Sequence, residues 1–479
     1  MVDWERPEEL REAEELLSNW SRPRPADALE LLTDVFQATP IVRQYGISCL
    51  DQADDEELEI YLPQLVQALR YEKAFLDFEE GELEQFLVRR AESLFIGCAT
   101  TPTLAPTPLC RLGWVMTAKR SCVGWGRNFL AWNLRLERSN PFRLAPQYQK
   151  AYERFEQNMS HGGERQQQTW LELKRSFDMF DRFEAAFKEA RKDGGRADKV
   201  KPHIRQLFTE GSFRDMQEFE PVILPMDPRI RIHGLIGSEI NVFKSKTLPL
   251  GIKFKTRTKP EDSRLPIQED PATGERTVQV MWKTGDDLRQ DGLVCQMFAL
   301  MDRLLKEENV DLKLMPYLIM ATSYNDTGNG MMEMVTESAD LADIFKDSSL
   351  DTVSHEGGRD SINAYLRNYH PAADPDPMGP TFGVEEGVYE TMVKSCAGYC
   401  VMTYLLAIGD RHLNNVMLRS SGHMFHIDFG FILGLDPKPL PPPMKLTKEM
   451  VRAMGGAEVR HTPQRGGPSA QPPQRSLAG

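Results

Sequence analysis

Apolar residues recur at three- and four-residue spacing through the first 95 or so positions, at Ala28–Leu32, Ile41–Tyr45 and Leu58–Tyr71. That period gathers them on one face of short helices, which stop at signals such as Ala38-Thr39-Pro40 and Asp54-Asp55. Stacked helix pairs of this kind predict an α-solenoid. Residues 96–128 break the pattern: Thr-Pro pairs and three cysteines replace the periodicity, and the stretch reads as an insertion. Helical spacing returns from Pro146 to Ala190. There Phe177, Phe180, Phe183 and Phe187 form a stripe better explained as a buried face than as a ligand box. The helical domain is therefore expected over 1–190, with a linker at 191–205 around Lys192-Asp193-Gly194-Gly195-Arg196.

From about Pro202 the pattern becomes mixed. Pro221–Pro228 and Ile230–Ile240 are rich in β-branched residues and read as extended, and Val242–Leu250 reads as a hairpin loop before a strand at Ile252–Thr256. Val278–Lys283 predicts a strand ending in a lysine, and Gly285–Asp291 opens a helix running to about Leu305. Leu314–Tyr317 and Met331–Val335 predict two strands, with a turn at Asn325–Gly330. Val388–Ile408 predicts a buried helix.

Two short apolar runs, Val416–Leu418 and Met424–Ile427, flank turn chemistry at Ser420–His423 and predict a β-hairpin. The open ends of a hairpin lie about 5 Å apart, which sets Asn415 beside Asp428. Their oxygens suit Mg²⁺, which also keeps waters and shares substrate phosphates. Asp410, Arg411 and His412 fall on the same rim. Four prolines between Pro439 and Pro443 stiffen the following segment toward an extended form. Residues 457–479 are rich in Pro, Gln, Arg, Gly and Ser, and a disordered tail is expected there.

Composition narrows the function classes. At 479 residues the chain has room for two or three domains. A net charge of −13 argues against a nucleic-acid partner. The seven cysteines show no zinc spacing, so a reducing cytosol is expected. The acidic, amphipathic start is no signal peptide. The longest mostly apolar run, Cys396–Gly409, is too short for a bilayer, which needs about 20 residues, so any membrane contact is expected to be peripheral.

Asp410-Arg411-His412-x-x-Asn415 followed by Asp428-Phe429-Gly430 resembles the catalytic signature of phosphatidylinositol 3- and 4-kinases and their large protein-kinase relatives. The run Asp436-Pro437-Lys438-Pro439-Leu440-Pro441-Pro442-Pro443 is most similar to the activation loop of class III phosphatidylinositol 3-kinases, the vacuolar-sorting type, although Leu435 stands where a basic residue is expected. The resemblance covers roughly residues 20–95 and 129–456. It implies an α+β fold: an α-solenoid accessory domain, then a bilobal, protein-kinase-like lipid kinase domain over 206–456. The N-lobe would run to about 336, followed by a truncated C-lobe, with no C2 domain.

The implied chemistry is transfer of the ATP γ-phosphate, with Mg²⁺ or Mn²⁺, to the 3-hydroxyl of phosphatidylinositol. The resemblance makes His412 the general base, with Asp410 and Arg411 in the catalytic loop, and gives the metal to Asn415 and Asp428. Lys283 would hold phosphate and Asp291 would hold Lys283. Tyr317 would lie deep in the adenine pocket, with the backbone of Glu333 and Val335 on the adenine edge. Phe243-Lys244-Ser245 would cover the phosphates. In the activation loop Lys438 and Lys445 would meet the lipid. Two isolated lysines suit phosphatidylinositol better than its bisphosphate, which needs clustered cations. A protein-kinase-like regulatory subunit, a coiled-coil adaptor, and endosomal or autophagic membranes are the implied partners and location. An impaired fragment serving as a binding scaffold, a related protein kinase, and another phosphatidylinositol 3-/4-kinase class are the competing readings.

Overall fold

The structure, a computed structural model, describes residues 6–456 apart from 37–38, 54, 69–70, 72–124, 139–144, 193–194, 246, 324–327, 351, 353, 356–357, 375, 440–441 and 443. Nearly all of the expected insertion and the whole expected tail lie outside the described residues, as does half of the turn at 325–330. The chain divides into two compact units. One comprises Met1–Asn309 with Pro316–Thr336, the other Val310–Met315 with Glu337–Gly479.

The first unit opens with helices α1 (Pro7–Asn19), α2 (Pro25–Glu30), α3 (Pro40–Leu50) and α4 (Asp55–Ala68). Then come α5 (Trp125–Arg138), α6 (Ala145–His161), α7 (Glu164–Ala190) and α8 (Ala197–Thr209). Helix α8 occupies much of the expected linker. Its Val200, Ile204 and Phe208 recur at four-residue spacing and are buried, an apolar stripe masked in the sequence by the adjacent glycines and by Pro202 inside the helix.

Eight strands form one antiparallel sheet: β1 (Val222–Leu224), β2 (Asp227–Leu235), β3 (Asn241–Val242), β4 (Leu250–Thr256), β5 (Ile267–Glu269), β6 (Arg276–Thr284), β7 (Ile319–Ser323) and β8 (Asn329–Glu333). Their order is β1-β2-β4-β6-β8-β7, with β3 on β4 and β5 on β6. Helix α9 (Arg289–Glu307) follows β6. The strand expected at Leu314–Tyr317 is absent and β7 begins at Ile319. Pro316 has no N–H to give a ladder, and Lys313 lies at φ 53°.

The phenylalanine stripe of α7 packs on this sheet. Phe180 stacks on Trp282 of β6 at 5.7 Å and Phe183 meets the same ring edge-on at 5.2 Å. Val278, Val280 and Trp282 are buried at two-residue spacing. Side chains alternate along a strand, so Lys283 points to the face opposite Trp282.

The second unit holds β9 (Ser338–Asp340), α10 (Leu341–Lys346), β10 (Ser354–His355), β11 (Gly358–Arg359), α11 (Ser361–Tyr369), α12 (Glu386–Leu405), β12 (Val416–Arg419), β13 (Met424–His426) and α13 (Lys448–Ala453). Strands β13, β12 and β9 form a three-stranded antiparallel sheet. Helix α12 buries Met392, Cys396, Tyr399 and Met402, which makes Cys396 a core residue as its spacing suggests.

Candidate active site

In the second unit the expected hairpin forms, with Val416 opposite His426 and Leu418 opposite Met424. This register puts Asn415 opposite Ile427, whose N–H donates to the Asn415 carbonyl at 3.1 Å. Asp428 is therefore one residue further out than the expected side-by-side placement, at the mouth of the same hairpin. It is exposed, at φ 60°, in the left-handed region.

Arg411 is only 6% exposed, and its guanidinium faces backbone carbonyls. It donates to Gly409 and Ile427 at 2.8 Å each, to Asn415 at 3.5 Å, and to Asp428. The planar fork of an arginine suits such a set of acceptors. The sequence grouped Arg411 with the catalytic residues. So buried, it instead joins the loop to the end of β13 and orients the residues around it. His412 is exposed, and its N–H donates to the Asp410 carbonyl at 3.0 Å. The same carbonyl accepts from the Asn415 side-chain amide at 3.1 Å. Behind the loop, burial holds His426 neutral, its pKa lowered to about 3, with Arg411 adding to the effect; its ring stacks on Tyr399 at 5.2 Å.

The donor set fits a hard divalent cation. The Asn415 amide nitrogen is engaged with Asp410, which leaves its oxygen as the acceptor, and the Asp428 carboxylate is exposed. No cluster of three or more His, Cys, Asp or Glu side chains able to hold a metal occurs among the described residues, so waters or substrate oxygens would complete the shell. Lys438 is exposed and Lys445 half-buried. The Asp436 carboxylate accepts the N–H of Lys438 and of Asp410 at 2.7 Å each. These two amides hold it below the usual carboxylate range. Its charge therefore faces backbone donors.

In the first unit Lys283 lies opposite Gly330 of β8. Its ammonium pairs with Asp286 at 3.1 Å, a partner the sequence reading passed over in favour of Asp291. An acid three residues after the lysine was the available signal. Asp291 is buried in the first turn of α9. One turn on, burial pushes the Cys295 thiol up, and the Asp291 carboxylate pushes it the same way; Tyr317 and Glu333 also act on this thiol. Three residues proposed from the sequence thus share one neighbourhood. Tyr317 is 5% exposed. The Glu333 N–H donates to Leu318 and its carboxylate accepts the Leu318 N–H. Val335 follows β8, outside the ladder. Phe243, Lys244 and Ser245 lie in a closed loop between β3 and β4, where Phe243 N–H donates to Pro249 and Ser245 accepts from Leu248.

Residues 277–465 match the family model described as phosphatidylinositol 3- and 4-kinase, and residues 1–97 match the accessory (PIK) domain of the phosphoinositide 3-kinase family. The chain belongs to the phosphatidylinositol 3-kinase family. The kinase match runs past Gly456, where the resemblance was expected to stop. Among similar proteins, the root isoform of phosphatidylinositol 3-kinase of Glycine max is 39% identical over 467 residues, which are 96% of this chain and 48% of that protein. Phosphatidylinositol 3-kinase VPS34 of Arabidopsis thaliana is 38% identical over 96% of this chain and 48% of its own length. Phosphatidylinositol 3-kinase catalytic subunit type 3 of Caenorhabditis elegans is 33% identical over 96% of the chain and 50% of its own length. The chain spans about half the length of the curated relatives it matches.

Proposed function

We propose that the chain carries the catalytic portion of a class III lipid kinase, transferring the ATP γ-phosphate to the 3-hydroxyl of phosphatidylinositol. The observation that carries this reading is the rim of the hairpin: an exposed imidazole, His412, and an exposed carboxylate, Asp428, on a backbone held from beneath by Arg411. His412 takes the proton of the inositol hydroxyl as it attacks. Asn415 and Asp428 would hold Mg²⁺, whose charge would offset that of the phosphoryl group during transfer. Lys283, set by Asp286, binds phosphate oxygens as a point charge. Tyr317, Glu333 and Val335 form the adenine side, and Phe243–Ser245 cover the phosphates.

Lys438 and Lys445 are the only cations between Asp428 and Leu446, which supports unmodified phosphatidylinositol as substrate. No described helix is long and apolar enough to cross a membrane, in keeping with peripheral action on endosomal or autophagic membranes. A protein-kinase-like regulatory subunit and a coiled-coil adaptor are the proposed partners. The test replaces Asp428 with Asn. Transfer from Mg-ATP to phosphatidylinositol vesicles should fall at least about 100-fold with an unchanged melting temperature. Near wild-type transfer by this variant would remove Asp428 from the metal site, and no transfer by the wild-type chain would favour the binding-scaffold reading.

A further inference from the structure

We propose that Asp436 is a positioning residue for phosphoryl transfer, fixing the backbone of Asp410 and through it the settings of His412 and Asn415. The proposal rests on the lipid-kinase reading of this loop. Asp410 has φ 50°, a conformation that a residue with a side chain rarely adopts and that surrounding structure must impose. Its N–H donates to the Asp436 carboxylate at 2.7 Å. Its carbonyl receives the His412 N–H at 3.0 Å and the Asn415 amide at 3.1 Å. The Asp410 peptide thus links the carboxylate to the general base and to a metal ligand.

Backbone bonds bring the two segments together. Gly409 N–H donates to Phe431 at 2.9 Å, Leu433 N–H to Leu406 and Gly434 N–H to Ala407 at 3.0 Å each. The approach is so close that a Cβ at Gly409 would sit 2.3 Å from the Leu435 carbonyl and 2.7 Å from the Asp436 carboxylate. Those bonds persist whatever side chain stands at 436. The carboxylate adds two charge-assisted bonds, one on each side of the junction, and such bonds are stronger and more directional than neutral ones.

The test uses Asp436→Ala and Asp436→Asn in the whole chain, with amide exchange at Asp410, melting temperature, and kcat and KM for ATP on phosphatidylinositol vesicles. In Asp436→Ala the Asp410 amide should exchange about tenfold faster or more. Its kcat should fall about 10- to 100-fold while KM for ATP stays within about threefold, because misplacement of a catalytic group costs rate rather than nucleotide binding. Asp436→Asn keeps one oxygen acceptor and should fall between. Unchanged Asp410 exchange overturns the proposal, as does faster exchange with unchanged kcat. If the wild-type chain transfers nothing, the lipid-kinase reading fails, and the positioning role for transfer falls with it. Asp410 exchange, measured without substrate, would then still show whether the carboxylate holds that peptide.

Discussion

Lys283 and the Asp410–Asn415 loop, both assigned to one reaction, are held by opposite means. Lys283 is the penultimate residue of β6, and its neighbour Trp282 is packed against Phe180 and Phe183; its support is apolar and spread over many contacts. The loop in the second unit is held by polar groups, with Arg411 on four carbonyls and Asp436 on the Asp410 N–H. Apolar support weakens by degrees as atoms are removed, because neighbours relax partly into the space. Polar support fails at once, since acceptors left buried without a donor keep their full desolvation cost. Damage behind Lys283 should therefore lower stability before activity, whereas damage under the loop should remove both.

Arg411→Leu should have the largest effect. It withdraws donors from the carbonyls of Gly409, Asn415, Ile427 and Asp428, and should cost about 3 kcal/mol or more with complete loss of transfer. Arg411→Lys should rescue little, because an ammonium cannot reproduce the fork. Chemical denaturation and lipid phosphorylation measured together would check this; a stable, active Arg411→Leu would erase the contrast between the two supports.

Phe180→Ala comes next. Truncation of this 1% exposed ring should cost about 3–5 kcal/mol. At temperatures where the variant remains folded, transfer should stay within about fivefold of wild type, less than a 1 kcal/mol change in barrier. Specific loss of ATP affinity in the folded variant would show that the aromatic layer tunes Lys283 directly.

How far each support could be read beforehand differs too. The hairpin and its acidic end follow from local signals a few residues apart, and the stripe of α7 follows from helical period. The inward turn of Arg411 was not legible, since nothing in Asp-Arg-His tells which side chain is buried. Asp436 and Asp286 act through turn geometry that no hydrophobic pattern reports. The apolar run Leu314–Tyr317 looked like a strand, but Pro316 and the positive φ of Lys313 keep it out of the ladder. In α8 the reverse happened: a buried stripe lay beneath residues typical of a linker.

A smaller effect is expected from pH. Burial, together with Arg419 and Lys313, lowers the pKa of His423 in the hairpin turn, where its ring meets Ser421 Oγ at 3.0 Å. The unfolded chain takes up this proton first, so the stabilisation is complete above the ordinary histidine pKa of about 6.5 and is lost as pH falls below it. Melting curves from pH 7.5 to 5 should show a drop that His423→Gln reduces; equal slopes would contradict it. The smallest effect should come from Lys438→Ala. This exposed cation should contribute about 1 kcal/mol to binding of anionic vesicles, a loss of about fivefold that high salt abolishes.

The most direct measurement is a side-by-side assay of the chain with Mg-ATP on matched vesicles carrying phosphatidylinositol or its 4,5-bisphosphate. The account predicts phosphatidylinositol 3-phosphate from the first and little product from the second, since only Lys438 and Lys445 stand between Asp428 and Leu446 to meet added phosphates. Comparable rates on the two lipids would contradict the class III reading.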